Sequence, residues 1–262
     1  MMYSVLHDEW PLAARRAFCG YVCQHESPVT RPHKPKSETK TLTVTEHSQP
    51  SMSAGDSGYR RIRSDIIFGV LTPSGRLKLD SMKEDYGVSV STLREILNRL
   101  ASEGFVVAEG QRGFEVAPVS IQNLRELAQL RILLEHHAMA ESFRAGDVEW
   151  EGRVVSAHHK LAATERAILT DGDDPEIRKR YDGEFHQALI SSCGSHELMQ
   201  THAVVFDKYF RYALQYRGSA TIEQHRALLE CALKRDVEGA KSILTEHINS
   251  CVAHALAIGT LR

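Results

Sequence analysis

No stretch of this 262-residue chain approaches the ~20 consecutive apolar residues that a membrane helix needs, so no membrane partner is expected. The N-terminus carries Asp8 and Glu9 and lacks a continuous apolar core, which makes it a poor signal peptide. Cysteine is scarce as well. Cys19, Cys23, Cys193, Cys231 and Cys251 are odd in number, scattered and without CxxC spacing. That argues against a disulfide framework, and a reducing cytoplasm is the simplest setting. Charge of one sign is also missing: 32 Lys and Arg against 34 Asp and Glu leave a net charge of −2, so the molecule as a whole is not a polycation.

What is present is a soluble-protein composition, 42% apolar and 25% charged, in a chain long enough for two small domains. Residues 58–118 hold nine Lys and Arg against eight Asp and Glu, whereas residues 119–262 hold 17 against 20. The split is weak, but its direction suits a nucleic-acid module followed by a regulatory one. Residues 1–57 stand apart. Prolines at 28, 32, 35 and 50, many Ser and Thr and few large apolar residues predict a mostly disordered extension. One short helix over 9–23 is the exception. Met52 stands just ahead of the first well-patterned helix and is a candidate start, with residues 1–51 an over-long extension; the rival reading is a functional arm.

From Tyr59 to Phe68 the pattern is an amphipathic helix, ended by Gly69 and followed by the turn Thr72-Pro73-Ser74-Gly75. Leu79–Asp85 forms a second short helix, and Tyr86-Gly87-Val88 leads into a third. There Leu93, Ile96, Leu97 and Leu100 recur at helical spacing. Ser89 and Ser91 suit its cap. Ser91, Thr92, Arg94, Asn98 and Arg99 are left for its other faces, and such hydroxyl, amide and guanidinium groups read base edges and grip phosphates. The plain alternative is a solvated polar face. Two β-rich runs, 105–108 and 114–117, flank a Gly-containing turn and predict a hairpin wing. Arg112 and Gly113 at its tip suit close approach to a phosphate backbone.

Residues 58–118 resemble the winged helix-turn-helix of the GntR family of bacterial transcription regulators. The matching residues are Asp65-Ile66-Ile67-x-Gly69, Pro73, Leu77, Val88-Ser89, Leu93-Arg94-Glu95-Ile96-Leu97-x-Arg99-Leu100, Glu103-Gly104 and Arg112-Gly113-Phe114-x-Val116. The chain departs from the family in two places. Val90 stands where Arg usually follows the Val-Ser of the turn, and Asp80 lies where a basic residue is common. Arg94 is therefore the leading base reader, and the operator sequence is expected to differ from the family's usual one.

From Ser120 onward only helical periodicity remains, with six helices predicted at about 121–144, 148–169, 175–192, 195–216, 221–235 and 237–258. The fold class is mainly α: three helices and a hairpin wing, then an all-α six-helix bundle over 119–262. On the first long helix Leu124, Leu127, Leu130, Leu134 and Ala138 are read as one side. Four residues in the bundle stand out chemically. Asp182 and His186 lie four apart on one helix face, and His225 and His247 lie on later helices. Three imidazoles and one carboxylate form a natural set for a divalent metal such as zinc or nickel. The competing reading is a buried hydrogen-bonded network.

Residues 121–250 resemble the FCD ligand-binding domain of the FadR-type branch of the family. In many of its members the positions of Asp182, His186, His225 and His247 bind a metal. The same resemblance implies that Arg131, in Leu130-Arg131-x-x-Leu134-Glu135, holds an effector carboxylate; the alternative is an exposed pair with Glu135 worth ~0.3–0.5 kcal/mol. His136, His137, His158, His159, His196 and His202 are read as surface or outer residues. The expectation is a homodimer, or a tetramer, that binds double-stranded operator DNA as a repressor of a catabolic operon under control of a small organic acid. A metal sensor is the alternative. A metal-dependent hydrolase is weaker, because no HExxH accompanies the ligands and the winged helix would be unexplained.

Overall fold

A computed structural model describes residues 53–110, 113–170, 174–213 and 219–258; the helix expected over 9–23 and Arg112 lie outside them. Helix α1 (Ala54–Ile67) begins five residues before its apolar periodicity suggests. Ser53 Oγ accepts the Asp56 amide at 3.0 Å, and Asp56 puts a negative charge in the first turn, so two N-terminal signals extend the helix into a polar stretch. Strand β1 (Arg76–Leu77) follows, then α2 (Leu79–Tyr86). Gly87 takes φ +65°, a backbone that glycine adopts without a Cβ clash, and the chain turns into α3 (Val90–Ser102).

The wing is a three-stranded antiparallel sheet in the order β1-β3-β2. β2 (Val106–Ala108) and β3 (Phe114–Val116) pair as a hairpin with Val106 opposite Val116. β1 adds Leu77 opposite Phe114; at two residues it is too short to leave an alternation signal. Ile62, Ile66, Leu93, Leu97, Leu100, Phe105 and Val116 form the buried centre of this module.

Six helices complete the described chain: α4 (Ile121–Ala145), α5 (Val148–Thr170), α6 (Pro175–Ile190), α7 (His196–Ala213), α8 (Ser219–Lys234) and α9 (Val237–Ile258). Ser120 caps α4 by accepting the Asn123 amide at 3.1 Å. Asp174 with Pro175 at the first position starts α6. Trp150 is fully buried, and its indole N–H donates to the Ala188 carbonyl at 3.0 Å.

Helix α4 buries Leu124, Leu127 and Ala138 as expected and packs Leu134 against the core, but turns Leu130 outward. Its buried stripe passes through Leu124, Leu127, Ala128, Arg131, Glu135, Ala138 and Met139, while Leu130 is 39% exposed. Charged residues occupy the middle of the buried side, so apolar periodicity alone selects a line rotated away from it.

Helix α7 serves both cores. Val205, Tyr209 and Tyr212 pack in the bundle, whereas Phe206 and Phe210 belong to the cluster of the winged module. Around them, Arg63 of α1 pairs with Asp207 of α7 and with Glu103 at 3.1 Å, and Lys179 of α6 reaches Asp207 at 2.7 Å. Among the described residues no helix is long and apolar enough to cross a membrane.

Candidate metal pocket and DNA-reading helix

Three helices bring the four candidate ligands together. Asp182 and His186 stand one turn apart on α6, His225 comes from α8 and His247 from α9. The ligand-capable atoms of the three histidines lie within 4.8 Å of one another, and all three side chains are buried. Asp182 Oδ1 is 3.3 Å from His225 Nε2 and 3.9 Å from His186 Nε2. The outer ring nitrogens are engaged elsewhere. His186 Nδ1 lies 2.8 Å from Glu135 Oε2, His225 Nδ1 2.7 Å from Glu165 Oε1 and His247 Nδ1 3.2 Å from Gln224 Oε1.

The inner nitrogens are poorly satisfied: Nε2 of His186 is buried without a hydrogen-bond partner, and Nε2 of His225 has only Asp182 Oδ1, at 3.3 Å. An unpaired buried polar atom costs about 1–3 kcal/mol, so a closed hydrogen-bonded network accounts poorly for this arrangement. Three neutral nitrogens and one carboxylate oxygen fit a borderline divalent cation.

The electrostatics favour that fit at His186 and His247 and require His225 to give up a proton first. Burial depresses the His186 and His247 imidazoles, keeping them deprotonated at neutral pH. Burial would lower His225 too, but Asp182 and Glu165 on its two sides outweigh it and raise its pKa to about 9. For Asp182, burial works toward protonation, yet His225, His186 and Arg131 outweigh it and hold the carboxyl below the usual range.

Arg131 lies near enough for its charge to act on Asp182 and His186. It is 2% exposed and Glu135 is 0% exposed, so the surface-pair alternative does not describe it. Its Nε donates to Glu135 Oε1 at 2.6 Å, and its guanidinium packs 4.6 Å from the Phe206 ring centroid and 5.1 Å from that of Tyr209. Nη2 is buried with no partner: a guanidinium with one edge tied and another free has the form of a carboxylate receptor. Sequence reasoning missed Glu165, Gln224 and Phe206. It also set aside His202, which is fully buried with Nε2 3.0 Å from Glu135 Oε1. None of these has a spacing signal to the ligands. Glu135 was visible only as the partner four residues after Arg131.

On α3 the four apolar residues are buried as their spacing requires. Ser89 Oγ accepts the Thr92 amide at 3.1 Å and lies 2.7 Å from Ser91 Oγ and 2.9 Å from Thr92 Oγ1, so all three hydroxyls gather at the N-terminus. Ser91, Arg94 and Asn98 are exposed and share one side of the helix. Arg99 is turned toward α1: its guanidinium sits 3.8 Å from the Tyr59 ring centroid and its Nε 3.5 Å from Glu103. Gly113 has φ +98° with nothing within 4 Å of the position a Cβ would take. There it is the backbone, rather than crowding, that favours glycine.

Comparison with known proteins adds the family. Residues 56–116 match the model for bacterial regulatory proteins of the gntR family, and residues 126–250 match the FCD domain. The chain is 35% identical over 213 residues to the uncharacterized HTH-type transcriptional regulator BphR of Paraburkholderia xenovorans (strain LB400), spanning 79% of this chain and 87% of that protein. It is 29% identical over 200 residues to the HTH-type transcriptional repressor GlaR of Escherichia coli (strain K12), spanning 73% and 90%. Among solved structures, E. coli McbR/YncC aligns with TM-score 0.66 at 21% identity over 80% of this chain and 100% of that one, a likeness of fold.

Proposed function

This chain belongs to the gntR family of bacterial regulatory proteins, as a DNA-binding transcription regulator with an FCD domain, and from that premise we propose that it is a metal-dependent, metabolite-controlled repressor of a catabolic operon. Residues 58–118 are the operator-binding module and residues 119–262 the controlling one, with residues 1–57 as an extension. The protein works in the cytoplasm as a homodimer, or a tetramer built from dimers, on a pseudo-palindromic site.

Arg94 and Asn98 read base edges in the major groove, with Ser91 beside them. Both are exposed, and neither makes a hydrogen bond or ion pair among the described residues. Ser89, which caps the Thr92 amide, and Thr92 lie at a helix N-terminus suited to phosphate. Arg99, stacked and paired from the flank, adds positive charge there. Arg112 and Gly113 bring the wing to the backbone.

In the bundle, Asp182, His186, His225 and His247 hold a divalent cation, zinc or nickel, and Arg131 receives the effector. Such a cation supplies a Lewis-acid centre for an oxygen ligand; the guanidinium supplies paired donors. A small organic acid suits both. The observation that carries this reading is the convergence of the three buried histidines, with Nε2 of His186 and Nη2 of nearby Arg131 left unpartnered. Phe206 lies under Arg131 and also in the core of the DNA-binding module, so an occupant of the pocket has a packed route to α3. Operator and effector must then weaken each other by the same factor.

Metal analysis and mass spectrometry of copurifying small molecules test the pocket directly. Operator affinity is then compared for metal-free protein, metal-loaded protein, and metal-loaded protein with candidate acids. Release by an acid only when metal is present is the expected result. Release by chelation alone, with no acid effective, would make the metal itself the signal.

A further inference from the structure

The three histidines do not hold their own orientation. Each has Nδ1 against an oxygen acceptor: Glu135 on α4 for His186, Glu165 on α5 for His225 and Gln224 on α8 for His247. An acceptor at Nδ1 keeps the proton there and leaves the Nε2 lone pair for a metal. Two of the three acceptors are carboxylates, and both are buried, which a metal-free core has little reason to tolerate.

They differ in what else they touch. Glu165 Oε1 meets His225, and its Oε2 has no hydrogen-bond partner. Glu135 divides its two oxygens between the two halves of the pocket. Oε2 accepts from His186 at 2.8 Å, while Oε1 accepts from Arg131 Nε at 2.6 Å and faces His202 Nε2 at 3.0 Å. One carboxylate thereby ties α4, α6 and α7 together.

We infer that Glu135 and Glu165 are the positioning residues of the metal pocket, fixing His186 and His225 in the tautomer that presents Nε2, and that Glu135 alone also couples the metal to Arg131. The inference rests on the metal reading above. A cation held by His186 would act on Glu135 through the Nδ1 contact, and through Glu135 on the guanidinium bonded to it. Glu165 has no such second attachment.

The test uses the full-length protein with Co(II) and with zinc, as wild type, Glu135→Gln and Glu165→Gln. Co(II) titration followed by visible absorption gives affinity and ligand geometry. Nitrogen NMR of the imidazoles gives tautomers, and the Arg131 Nε–H resonance, identified by its loss in Arg131→Lys, reports the coupling. Each glutamine variant should lose about 10–100-fold in metal affinity and show a mixed tautomer at its own histidine. Zinc should move the Arg131 resonance fully in wild type and in Glu165→Gln and clearly less in Glu135→Gln, where only the charge of Asp182 still links the two.

Wild-type affinity, absorption bands and tautomers in both variants would overturn the positioning role, even if their melting temperatures fall. An Arg131 response to zinc of wild-type size in Glu135→Gln would overturn the coupling. If Glu135→Gln does not fold, Glu165→Gln read at His225 still decides the positioning role, and Glu135→Asp decides the coupling: an unchanged zinc response at Arg131 despite the shortened side chain overturns it. Failure of wild type to bind either ion is a different outcome, and it removes the metal reading itself.

Discussion

Arg94 and Arg131 are both helical arginines, and their surroundings are opposite. Arg94 projects from α3 into solvent with no partner among the described residues. Arg131 is sealed inside α4's packed side with an ion pair, two aromatic rings and one unused nitrogen. Around Arg94 the fold keeps polar groups out of the core so that a partner can reach them. Around Arg131 it buries them and satisfies all but a few. In the first region the unsatisfied groups cost nothing until DNA arrives, because water covers them. In the second they are a standing cost of burial, which a bound partner would relieve.

The sharpest way to break that contrast is to remove each arginine and measure stability. Arg131→Ala leaves the Glu135 carboxylate buried without its cation, and should destabilise the protein by about 3–5 kcal/mol in urea or guanidinium melts; a loss under ~1 kcal/mol would mean the pair is not truly desolvated. Arg94→Ala should leave the same melts and the metal content unchanged, surface changes of this kind lying within about ±0.5 kcal/mol. Its operator affinity should fall by about 1–3 kcal/mol, read by fluorescence anisotropy at fixed salt. Retained sequence-specific binding would remove Arg94 from the base-reading role.

The pocket can be separated from the DNA surface by pH. Against the effect of burial, Asp182 and Glu165 raise the His225 pKa to about 9, so below that pH an entering cation would have to displace a proton. The sign follows: zinc affinity should rise by about tenfold per unit from pH 7 to pH 9 and then flatten. His186 and His247, whose pKa values are depressed, add no proton loss in that window. Competition with a chelator across the range measures it, and a flat profile above pH 7 would contradict the raised value. The smallest effect expected is on communication. Phe206→Leu should keep metal and operator binding near wild type while reducing the factor by which an effector acid shifts operator affinity, by about 0.5–2 kcal/mol.

Legibility in the sequence followed the same division. Helix α3 could be read because all four buried positions are apolar and its cap is local, so periodicity and Ser89 were enough. On α4 the centre of the buried side is Arg131 and Glu135, and an apolar-period reading therefore settled on Leu130 and Leu134. Asp182 and His186 announced themselves by lying four apart. Glu165 and His225 are brought together only by packing of α5 on α8, and no local rule connects residues 60 positions apart. Strand β1 failed for a simpler reason: two residues carry no alternation. The wing hairpin was readable because its strands are longer and a Gly-containing turn separates them.

Helix α7 has a consequence for modularity. In the sequence the regulator divides cleanly near Pro118, and a chimera joined there would look conservative. In space, Phe206 and Phe210 belong to the core of the N-terminal module, 88 and 92 residues beyond that join. A DNA-binding half grafted onto a foreign bundle would arrive with an apolar hollow where two aromatic rings had been. The packing unit of the winged module therefore includes one face of α7, and a graft that keeps those two rings should melt higher than one that omits them.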